Sequence, residues 1–480
     1  MKFNKWKKNQ NNIFHQLRML INSFGYNIEK LPEINNLYLK LNNTKISKRR
    51  KICLELIKKY PNIPNFYLIM GETLNSLGDD EKFYYFNKYG SVRNEWLKET
   101  QLDLLNIDFV SNIYFTGSLG NHYGVENLIN SHRSKLKTKK TIFSLIGKRK
   151  PRNKTLYDFF KKYVNFIEDE HLCYSLRSFE SIMALPLGVC LPMDDCCPFL
   201  DLASNLTQSS LKQLNINQNL FSENNSLFDK GYENLKKIGI SSDDWIVTLH
   251  MREPTYRGET YNNNNSSWRN VRVEDYIDCI KTIISKGGYV FRMGDKESTK
   301  LPKIKGLIDY AHSDMKSEYM DVFLGAKSKF CIATSSGFYH IPMLFGKPIL
   351  FTNSPMFIEY FGLRENHIYL PRLTKNKSKN KLFSFSEFTN KKHAIRTFQE
   401  HFDNHDIETI PNTKEEIDEA VIEMLDLLKF KESNIQSESK NQLLFKDIVR
   451  QNSKNYYAPN CEPKARISNH FINKYENILY

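Results

Sequence analysis

The feature that most constrains the fold is a regular alternation of strand-like and helix-like segments between Trp245 and Asn353. The apolar runs that read as buried strands are Trp245–Arg252, Tyr289–Asp295, Phe330–Thr334 and Lys347–Asn353. Apolar residues at helical spacing lie between them; the predicted helices are Val273–Ser285, about Ser317–Ala326, and one starting near Gly337. This alternation predicts a parallel, Rossmann-like sheet covered by helices.

The predicted strands turn polar where they end. The first finishes with His250 and Arg252, whose side chains point the same way because residues alternate faces along a strand. Ligands of open α/β sheets bind in the crevice beyond the carboxyl ends of the strands. An imidazole and a guanidinium at that position suit an anion such as a phosphate.

The third predicted strand leads into Ser335, Ser336 and Gly337, small residues expected to open a helix. Backbone N–H groups at a helix start, with two hydroxyls beside them, form an anion site. Arg252 suits the same anion because its planar fork can bind two phosphate oxygens at once. The alternatives are a structural salt bridge for Arg252 and, for His250, a role in orienting Arg252.

Several short motifs follow one another in order along this part of the chain. They are HMREP, WRN (Trp268–Asn270), RMGD, IDYA (Ile308–Ala311), a helix with Met320-Asp321, and TSSG before FGKP. The ordered set resembles a bacterial family of glycosyltransferases associated with surface-polysaccharide synthesis. That family is distantly similar to fucosyltransferase-like and protein O-fucosyltransferase-like enzymes, which also carry a His-x-Arg strand end. The resemblance is close over residues 240–355 and weaker over 108–235.

The resemblance implies an α/β protein of the GT-B class, with two Rossmann-like domains facing a cleft. It implies a hexosyl- or deoxyhexosyltransferase that moves a sugar from a nucleotide-sugar donor to a polysaccharide, glycolipid or glycoprotein acceptor, without a cofactor. The alternative is a non-catalytic assembly or binding protein built on a degenerate transferase fold. The presence of His250, Arg252, Arg292 and Ser335–Gly337 favours catalysis, because a protein that had lost its activity should lose these residues first.

Four ranges are predicted along the 480 residues. They are a helical N-terminal extension (1–105), an N-terminal Rossmann-like acceptor domain (106–238), a C-terminal Rossmann-like nucleotide-sugar domain (239–400) and C-terminal helices that cross back (401–480). Within the extension, the helix order of residues 45–90 resembles one tetratricopeptide unit, with Gly71 at its small-residue position. In the acceptor domain the strand candidates are Ile113–Gly117, Thr141–Gly147 and Tyr163–Asp169.

The candidate donor-binding residues lie at the predicted strand ends and on the loops that follow them. They are His250, Arg252, Arg269, Asn270, Arg292, Asp295, Asp309, Tyr310, Ser335, Ser336 and Gly337. Arg292 and Asp295 could instead form a capping turn, and Tyr310 could pack in the core rather than stack on a base.

The candidate catalytic residues are Arg252, which would stabilise the leaving diphosphate, and two possible general bases, His122 and Glu253. His122 lies in the glycine-rich segment around Gly117, Gly120 and Gly124, and its intrinsic pKa suits a base. An ordinary surface histidine is the alternative. The sequence contains no Asp-x-Asp, so transfer without a metal is expected.

The net charge of +15 suits a nucleic acid, an anionic membrane or a phosphate-rich substrate, and the alternative is a compositional bias toward lysine and asparagine. The sequence shows no nucleic-acid-binding motif. Nucleic acid is therefore not expected as a partner. The eight cysteines lack metal-ligand spacing. No apolar run of roughly 20 residues and no signal peptide is found, which predicts a cytoplasmic protein. A basic start followed by an amphipathic helix over residues 12–31 suggests either peripheral contact with the inner membrane face or docking on the protein itself.

Overall fold

The structure, a computed structural model, describes residues 36–37, 40–41, 43–77, 79, 81–99, 106–185, 200–223, 228–254, 269–354, 357–389, 402, 405–429, 438–453 and 461–480. The chain divides into two compact units that are interleaved in sequence. The first unit draws on Met1–Asn112, Lys137–Arg149 and Lys161–Cys197, and the second on Ile113–Leu136, Lys150–Phe160 and Pro198–Tyr480. This division does not coincide with the four contiguous ranges predicted from the sequence.

Three helices of the first unit are described from end to end, α1 (Ile46–Lys59), α2 (Pro64–Ser76) and α3 (Lys82–Glu99). Their order and breaks agree with those expected from the sequence. A Cβ at Gly71 would lie 2.6 Å from the ring of Phe86, so glycine permits the close packing of α2 against α3. The likeness to a tetratricopeptide unit remains a prediction, and the helix expected over residues 12–31 lies outside the described residues.

The rest of the first unit is a small parallel sheet with one helix. Its elements are β1 (Ile107–Val110), β2 (Thr141–Leu145), β3 (Val164–Ile167), α4 (Glu170–Met183) and β4 (Ala184–Leu185). The strands lie in the order β3-β2-β1-β4, and every pair is parallel. Two of the three strands predicted in this part of the chain are therefore found, as β2 and β3.

The remaining prediction, a strand over Ile113–Gly117, is wrong. Ile113–Thr116 is a short helix, α5, of the second unit, and the strand lies just before it at Ile107–Val110. All four residues of the observed strand, Ile107–Val110, are buried. In α5, Ile113 is exposed and Tyr114 and Phe115 are buried. A short apolar run does not distinguish helix from strand by periodicity alone, which explains the error.

The second unit contains the remaining elements. In chain order they are α5, α6 (His122–Arg133), α7 (Lys154–Phe160), α8 (Leu200–Gln213), α9 (Asp229–Lys237), β5 (Ile246–His250), α10 (Ile277–Ser285), β6 (Tyr289–Met293), β7 (Leu307–Ile308), α11 (Glu318–Lys327), β8 (Phe330–Ala333), α12 (His340–Leu344), β9 (Ile349–Ser354), α13 (Ile358–Gly362), β10 (Ile368–Pro371), β11 (Leu373–Asn376), β12 (Lys381–Leu382), α14 (Phe385–Phe388), β13 (Ile407–Ile410), α15 (Lys414–Leu427), α16 (Lys440–Ser453), β14 (Arg466–Ile467) and α17 (Asn469–Lys474). Short 3₁₀ turns occupy Leu119–Asn121, Val273–Tyr276, Tyr310–His312 and Glu476–Ile478.

Seven of these strands form one parallel sheet in the order β14-β10-β9-β8-β5-β6-β7. The strand and helix alternation predicted from the sequence is thus confirmed here. From β5 the chain moves to β6 and β7 on one side, then returns to place β8 on the other side of β5. The order therefore reverses between β5 and β8, which is where open α/β sheets bind their ligands.

The C-terminal part of the chain joins this sheet. The edge strand β14 pairs with β10, and α15 packs against α10. Thr413 followed three residues later by Glu416 predicts a capping box at the start of α15. The structure confirms it, because the Thr413 hydroxyl accepts a bond from the Glu416 N–H at 3.2 Å and Glu416 accepts one from the Thr413 N–H at 3.1 Å. Among the helices of the described ranges, none is both long and apolar enough to cross a membrane.

Candidate functional site

A cavity of about 650 Å³ lies beyond the carboxyl ends of β5, β6 and β8. All the residues that line it belong to the second unit. Those at the strand ends and on the segments that follow them are His250, Met251, Arg252, Glu253, Met293, Gly294, Asp295, Ser298, Ser335, Ser336, Gly337, Phe338 and Tyr339. Those from helices are Glu318 and Asp321 of α11, His340 of α12 and Glu359 of α13. Those from the surrounding loops and turns are Ser118, Leu119, Gly120, Asn121, Arg152, Asn153, Arg269, Lys316 and Ser317.

Hydrogen bonds tie the ends of β5 and β8 together at the point where the strand order reverses. The Thr334 N–H donates to the His250 carbonyl at 3.2 Å, and the Arg252 N–H donates to the Thr334 hydroxyl at 2.9 Å. Arg252 and Ser336 therefore line the same cavity. Eight of the residues predicted from the sequence lie on this cavity, namely His250, Arg252, Glu253, Arg269, Asp295, Ser335, Ser336 and Gly337.

His250 is held in a fixed orientation. Its Nδ1 lies 2.9 Å from the Ser336 hydroxyl, and its ring stacks on Phe338 with the ring centres 5.5 Å apart. Burial, followed by the positive charges of Arg292, Lys316 and Arg252, lowers the pKa of His250 to about 3. The imidazole is therefore neutral at pH 7 and can hydrogen-bond a ligand.

Four cations line the cavity within the described ranges: Arg152, Arg252, Arg269 and Lys316. Arg252 is only 8% exposed, whereas Arg152 lies on the exposed loop before α7. The Lys316 ammonium forms an ion pair with Asp321 at 2.9 Å. The three arginines come from separate parts of the chain, and the fold brings them to one polar cavity.

Arg292, predicted as a donor contact, is not among the residues that line the cavity. Its side chain is fully buried and pairs with the Glu253 and Asp309 carboxylates, the latter at 3.2 Å. It also donates to the Thr299 carbonyl at 2.9 Å. The sequence could not distinguish this internal ion pair from a ligand contact, because an arginine at a strand end serves either purpose.

The same network accounts for Glu253 and Asp309. One Glu253 oxygen accepts from Arg292 and the other from the Thr299 N–H at 2.8 Å. Its role as a general base stays a prediction. Asp309 lies off the cavity and accepts from Arg292 and from the Leu301 N–H at 3.1 Å. Both carboxylates act within the protein.

Three further residues that were predicted to bind the donor have hydrogen-bond partners within the protein. Asp295 lines the cavity but caps a turn by accepting from the Glu297 N–H at 3.1 Å. Tyr310 is fully buried, and its hydroxyl donates to Asp321 at 2.9 Å, so it packs in the core and does not stack on a ligand. Asn270 lies off the cavity, and its carbonyl accepts from Arg372 at 2.5 Å.

His122, predicted as a possible general base, is not among the residues that line the cavity. It begins α6 rather than lying on a loop, is 1% exposed and stacks on Phe160. Its Nδ1 lies 2.9 Å from the Leu119 carbonyl, and burial lowers its pKa to about 4. The residues just before it, Ser118–Asn121, do line the cavity. The glycine-rich segment therefore belongs to the site, although its histidine does not.

The segment after β8 differs from the expected helix start. The helix α12 begins at His340, not near Gly337, and has only five residues. A helix dipole therefore contributes less here than the sequence suggested. Gly337 instead lies against Gly120: a Cβ added at Gly337 would be 2.4 Å from the Gly120 nitrogen. Glycine at both positions lets the two cavity-lining loops pass backbone against backbone.

Sequence reasoning missed a buried carboxylate on this cavity. Glu359, on α13, is 8% exposed and bonds to the hydroxyls of Ser335 at 2.5 Å and Ser354 at 2.8 Å. Burial raises its pKa to about 7, against the lowering effects of these two hydroxyls and of Arg269. The polar end of the predicted strand Lys347–Asn353 was the available signal, because it marks a further strand end on the same side of the sheet.

Arg152 and Lys316 were missed as well. Arg152 sits in the basic run that follows β2, and Lys316 in the turn before α11. Charged loop residues are normally solvated, so only the three-dimensional structure separates these two from their neighbours. Among the residues that the structure describes, no group of three or more His, Cys, Asp or Glu side chains is placed to hold a metal ion.

Comparison with known proteins gives one weak likeness. No protein-family model matches the sequence, and no curated protein matches it. Among solved structures, the chain is similar to a glycosyl transferase family 9 protein from Veillonella parvula, with 13% identity and a TM-score of 0.33. The match covers 62% of this chain and 95% of that one. A likeness this distant carries no argument about fold or activity, so the functional case stands on the cavity.

Proposed function

We propose that this protein is a glycosyltransferase that binds the diphosphate of a nucleotide-sugar in the cavity of its second unit. The observation that carries the proposal is the convergence of Arg252, Arg269, His250 and Ser336 where the strand order reverses. Ligands of such sheets bind at that crevice. A donor with two adjacent phosphates matches several cations and hydrogen-bond donors better than a neutral ligand does.

Within the part of the chain that the structure describes, the cavity lining holds five carboxylates, Glu253, Asp295, Glu318, Asp321 and Glu359, beside its four cations, and three of the five are paired or partly neutral. The negative charge of Glu253 is matched by Arg292, and that of Asp321 by Lys316. Glu359 has a pKa of about 7 and is therefore partly protonated at neutral pH. Arg252 and Arg269 face the same space, and arginine binds phosphate oxygens in pairs.

In the proposed reaction, an acceptor hydroxyl attacks the anomeric carbon of the donor sugar and the nucleoside diphosphate leaves with the bonding electrons. Arg252 and Arg269 stabilise the charge that builds on the leaving phosphate, a role that a divalent cation fills in other transferases. The proposal therefore includes transfer without a metal. The acceptor is a glycan or glycolipid, as the motif resemblance implies, and peripheral membrane contact through the basic N-terminal residues remains part of this proposal.

Thermal-shift and calorimetric binding of UDP, GDP, ADP and dTDP, each with its common sugar derivatives, tests the proposal. We expect one nucleotide to stabilise the wild type, in EDTA as well as in MgCl₂. Arg252→Ala should weaken that binding about tenfold to a hundredfold, because a hydrogen bond to a charged group contributes about 1.5–3 kcal/mol. Arg272→Ala is the matched control, since Arg272 is 78% exposed and pairs with Asp275 off the cavity.

Two results would contradict the proposal. The first is that none of these nucleotides or nucleotide-sugars binds the wild type. The second is that Arg252→Ala and Arg272→Ala bind the nucleotide equally well. If a nucleotide binds but its sugar derivatives are never turned over with any glycan acceptor, the cavity is a nucleotide-binding site in a non-catalytic protein.

A further inference from the structure

The hydroxyls of adjacent serines hold two ionisable groups at the cavity. Ser336 bonds the His250 imidazole at 2.9 Å, and Ser335 bonds the Glu359 carboxylate at 2.5 Å. Neighbouring residues of one chain segment cannot lie far apart, so Glu359 is held next to the Ser336 and Arg252 end of the cavity. If the donor diphosphate sits there, Glu359 lines the same cavity as the donor.

The orientation of the Glu359 side chain is fixed from both sides. Ser335 follows β8, and Ser354 ends the neighbouring strand β9. The Ser335 hydroxyl donates to one oxygen of the Glu359 carboxylate, and the Ser354 hydroxyl donates to the other. Each carboxylate oxygen has a second lone pair, so both can accept a further hydrogen bond. A carboxylate that is fixed in place and lines a cavity can act as a general base on a hydroxyl that binds within about 2.6–3.2 Å of it.

The groups around Glu359 keep its proton affinity in a useful range. Burial acts against the charged form, while Ser335, Ser354 and Arg269 favour it. Asp201, on α8, is coupled to Glu359: burial, and then the Glu359 charge, raises the pKa of Asp201 to about 8. The pKa values of Tyr339 and Tyr369 are also raised, first by burial and further by Glu359, so both phenols stay neutral.

We propose that Glu359 is the catalytic base of the transfer reaction, an inference that rests on the proposed function. The acceptor O–H bond breaks as the oxygen bonds to the anomeric carbon, and the proton passes to a Glu359 oxygen. The bond from that carbon to the diphosphate oxygen breaks at the same time, and the nucleoside diphosphate takes the electron pair. Neutral His250, bonded to Ser336, remains as a hydrogen-bonding partner of the donor.

The first test compares Glu359→Gln with the wild type, using the donor that the nucleotide-sugar panel identifies. Glutamine keeps the size and the serine contacts of Glu359 but is not a base. We expect kcat to fall about a hundredfold or more, with little change in the donor KM or in the thermal shift produced by the nucleoside diphosphate. Wild-type kcat should rise with pH up to about 7 and then level off, and the variant should lose this dependence.

Glu415→Gln is the matched control, because Glu415 is exposed on α15 and lies off the cavity. If Glu359→Gln keeps kcat within a few-fold of the wild type, or keeps the same pH dependence, Glu359 is not the base. A fall in thermal stability with no selective loss of kcat would likewise overturn the proposal and leave Glu359 a structural role.

A second test does not depend on turnover. Carbodiimide coupling at pH 6 in the presence of glycine ethyl ester, mapped by peptide mass spectrometry, should label Glu359, because a protonated carboxyl that faces the cavity is the reactive form. Saturating nucleotide-sugar should protect Glu359 and leave the labelling of exposed Glu415 unchanged. Failure to label Glu359, or labelling without protection, contradicts the base assignment. Failure of every nucleotide to bind contradicts the proposed function instead.

Discussion

Replacing Arg292 by methionine separates a structural role from a ligand-binding role for the arginine in β6. Its guanidinium is fully buried between Glu253, whose side chain is 4% exposed, and Asp309, at 22%. Methionine keeps much of the apolar stem but removes the charge. Glu253 is then left as a buried carboxylate without its cation, a change that costs about 3–5 kcal/mol in other proteins.

At about 2–4 °C per kcal/mol for a large domain, this loss corresponds to a melting temperature roughly 6–20 °C lower. Differential scanning calorimetry at pH 7.5 measures it directly. Arg272→Met is the matched control, because the exposed pair Arg272–Asp275 should contribute less than about 1 kcal/mol. Nucleotide binding should weaken only in proportion to the unfolded fraction.

The opposite outcome would refute this reasoning. If Arg292→Met melts within about 2 °C of the wild type but no longer binds the nucleotide, Arg292 is a ligand contact, as the sequence pattern alone suggested. The internal pair with Glu253 would then not be the dominant interaction of this side chain.

Three further predictions concern the cavity. Ser336→Ala removes the hydroxyl that orients His250, so nucleotide affinity measured by calorimetry should fall about fivefold to tenfold, as for one lost hydrogen bond; unchanged affinity would show that this contact is incidental. Gly337→Ala places a Cβ against the Gly120 backbone, so denaturant unfolding should show a loss of about 1–3 kcal/mol, and an unaffected midpoint would contradict the close crossing. Because the pKa of Glu359 is raised from 4.5 to about 7, the folded state binds the extra proton, and wild-type stability should fall by up to about 3 kcal/mol as pH rises from 4.5 to 7. Glu359→Gln should show a smaller fall over the same window in urea titrations, and parallel pH curves for the two proteins would disprove the raised pKa.

The sequence predicted the second unit's sheet well because hydrophobic periodicity determines it. Strands β5, β6, β8 and β9 lie where apolar runs indicated them, and His250 and Arg252 lie at the predicted strand end. The C-terminal capping box was predictable for the same reason, since the signal is local in sequence. Spacing along the chain carries such information directly.

Side-chain partners were much harder to predict. Arg252 and Arg292 both follow or end a buried strand, yet one lines the cavity and the other lies in an internal ion pair. The difference depends on Glu253 and Asp309, which are distant from Arg292 in sequence. His122 likewise looked like a loop histidine and is instead packed against Phe160. Such pairings arise only when the chain is folded, so residue type and spacing leave them open.

The interleaving of the two units limits how this protein can be divided or recombined. The stretch from Ile107 to Ile167 supplies three strands to the first unit but also α5, α6 and α7 to the second, together with the cavity residues Ser118–Asn121 and Arg152. A single cut anywhere in this stretch would strip each unit of segments that it requires. Shuffling by one crossover, whether in evolution or in the laboratory, therefore cannot exchange the second unit as an intact module; the whole stretch has to be inherited with it.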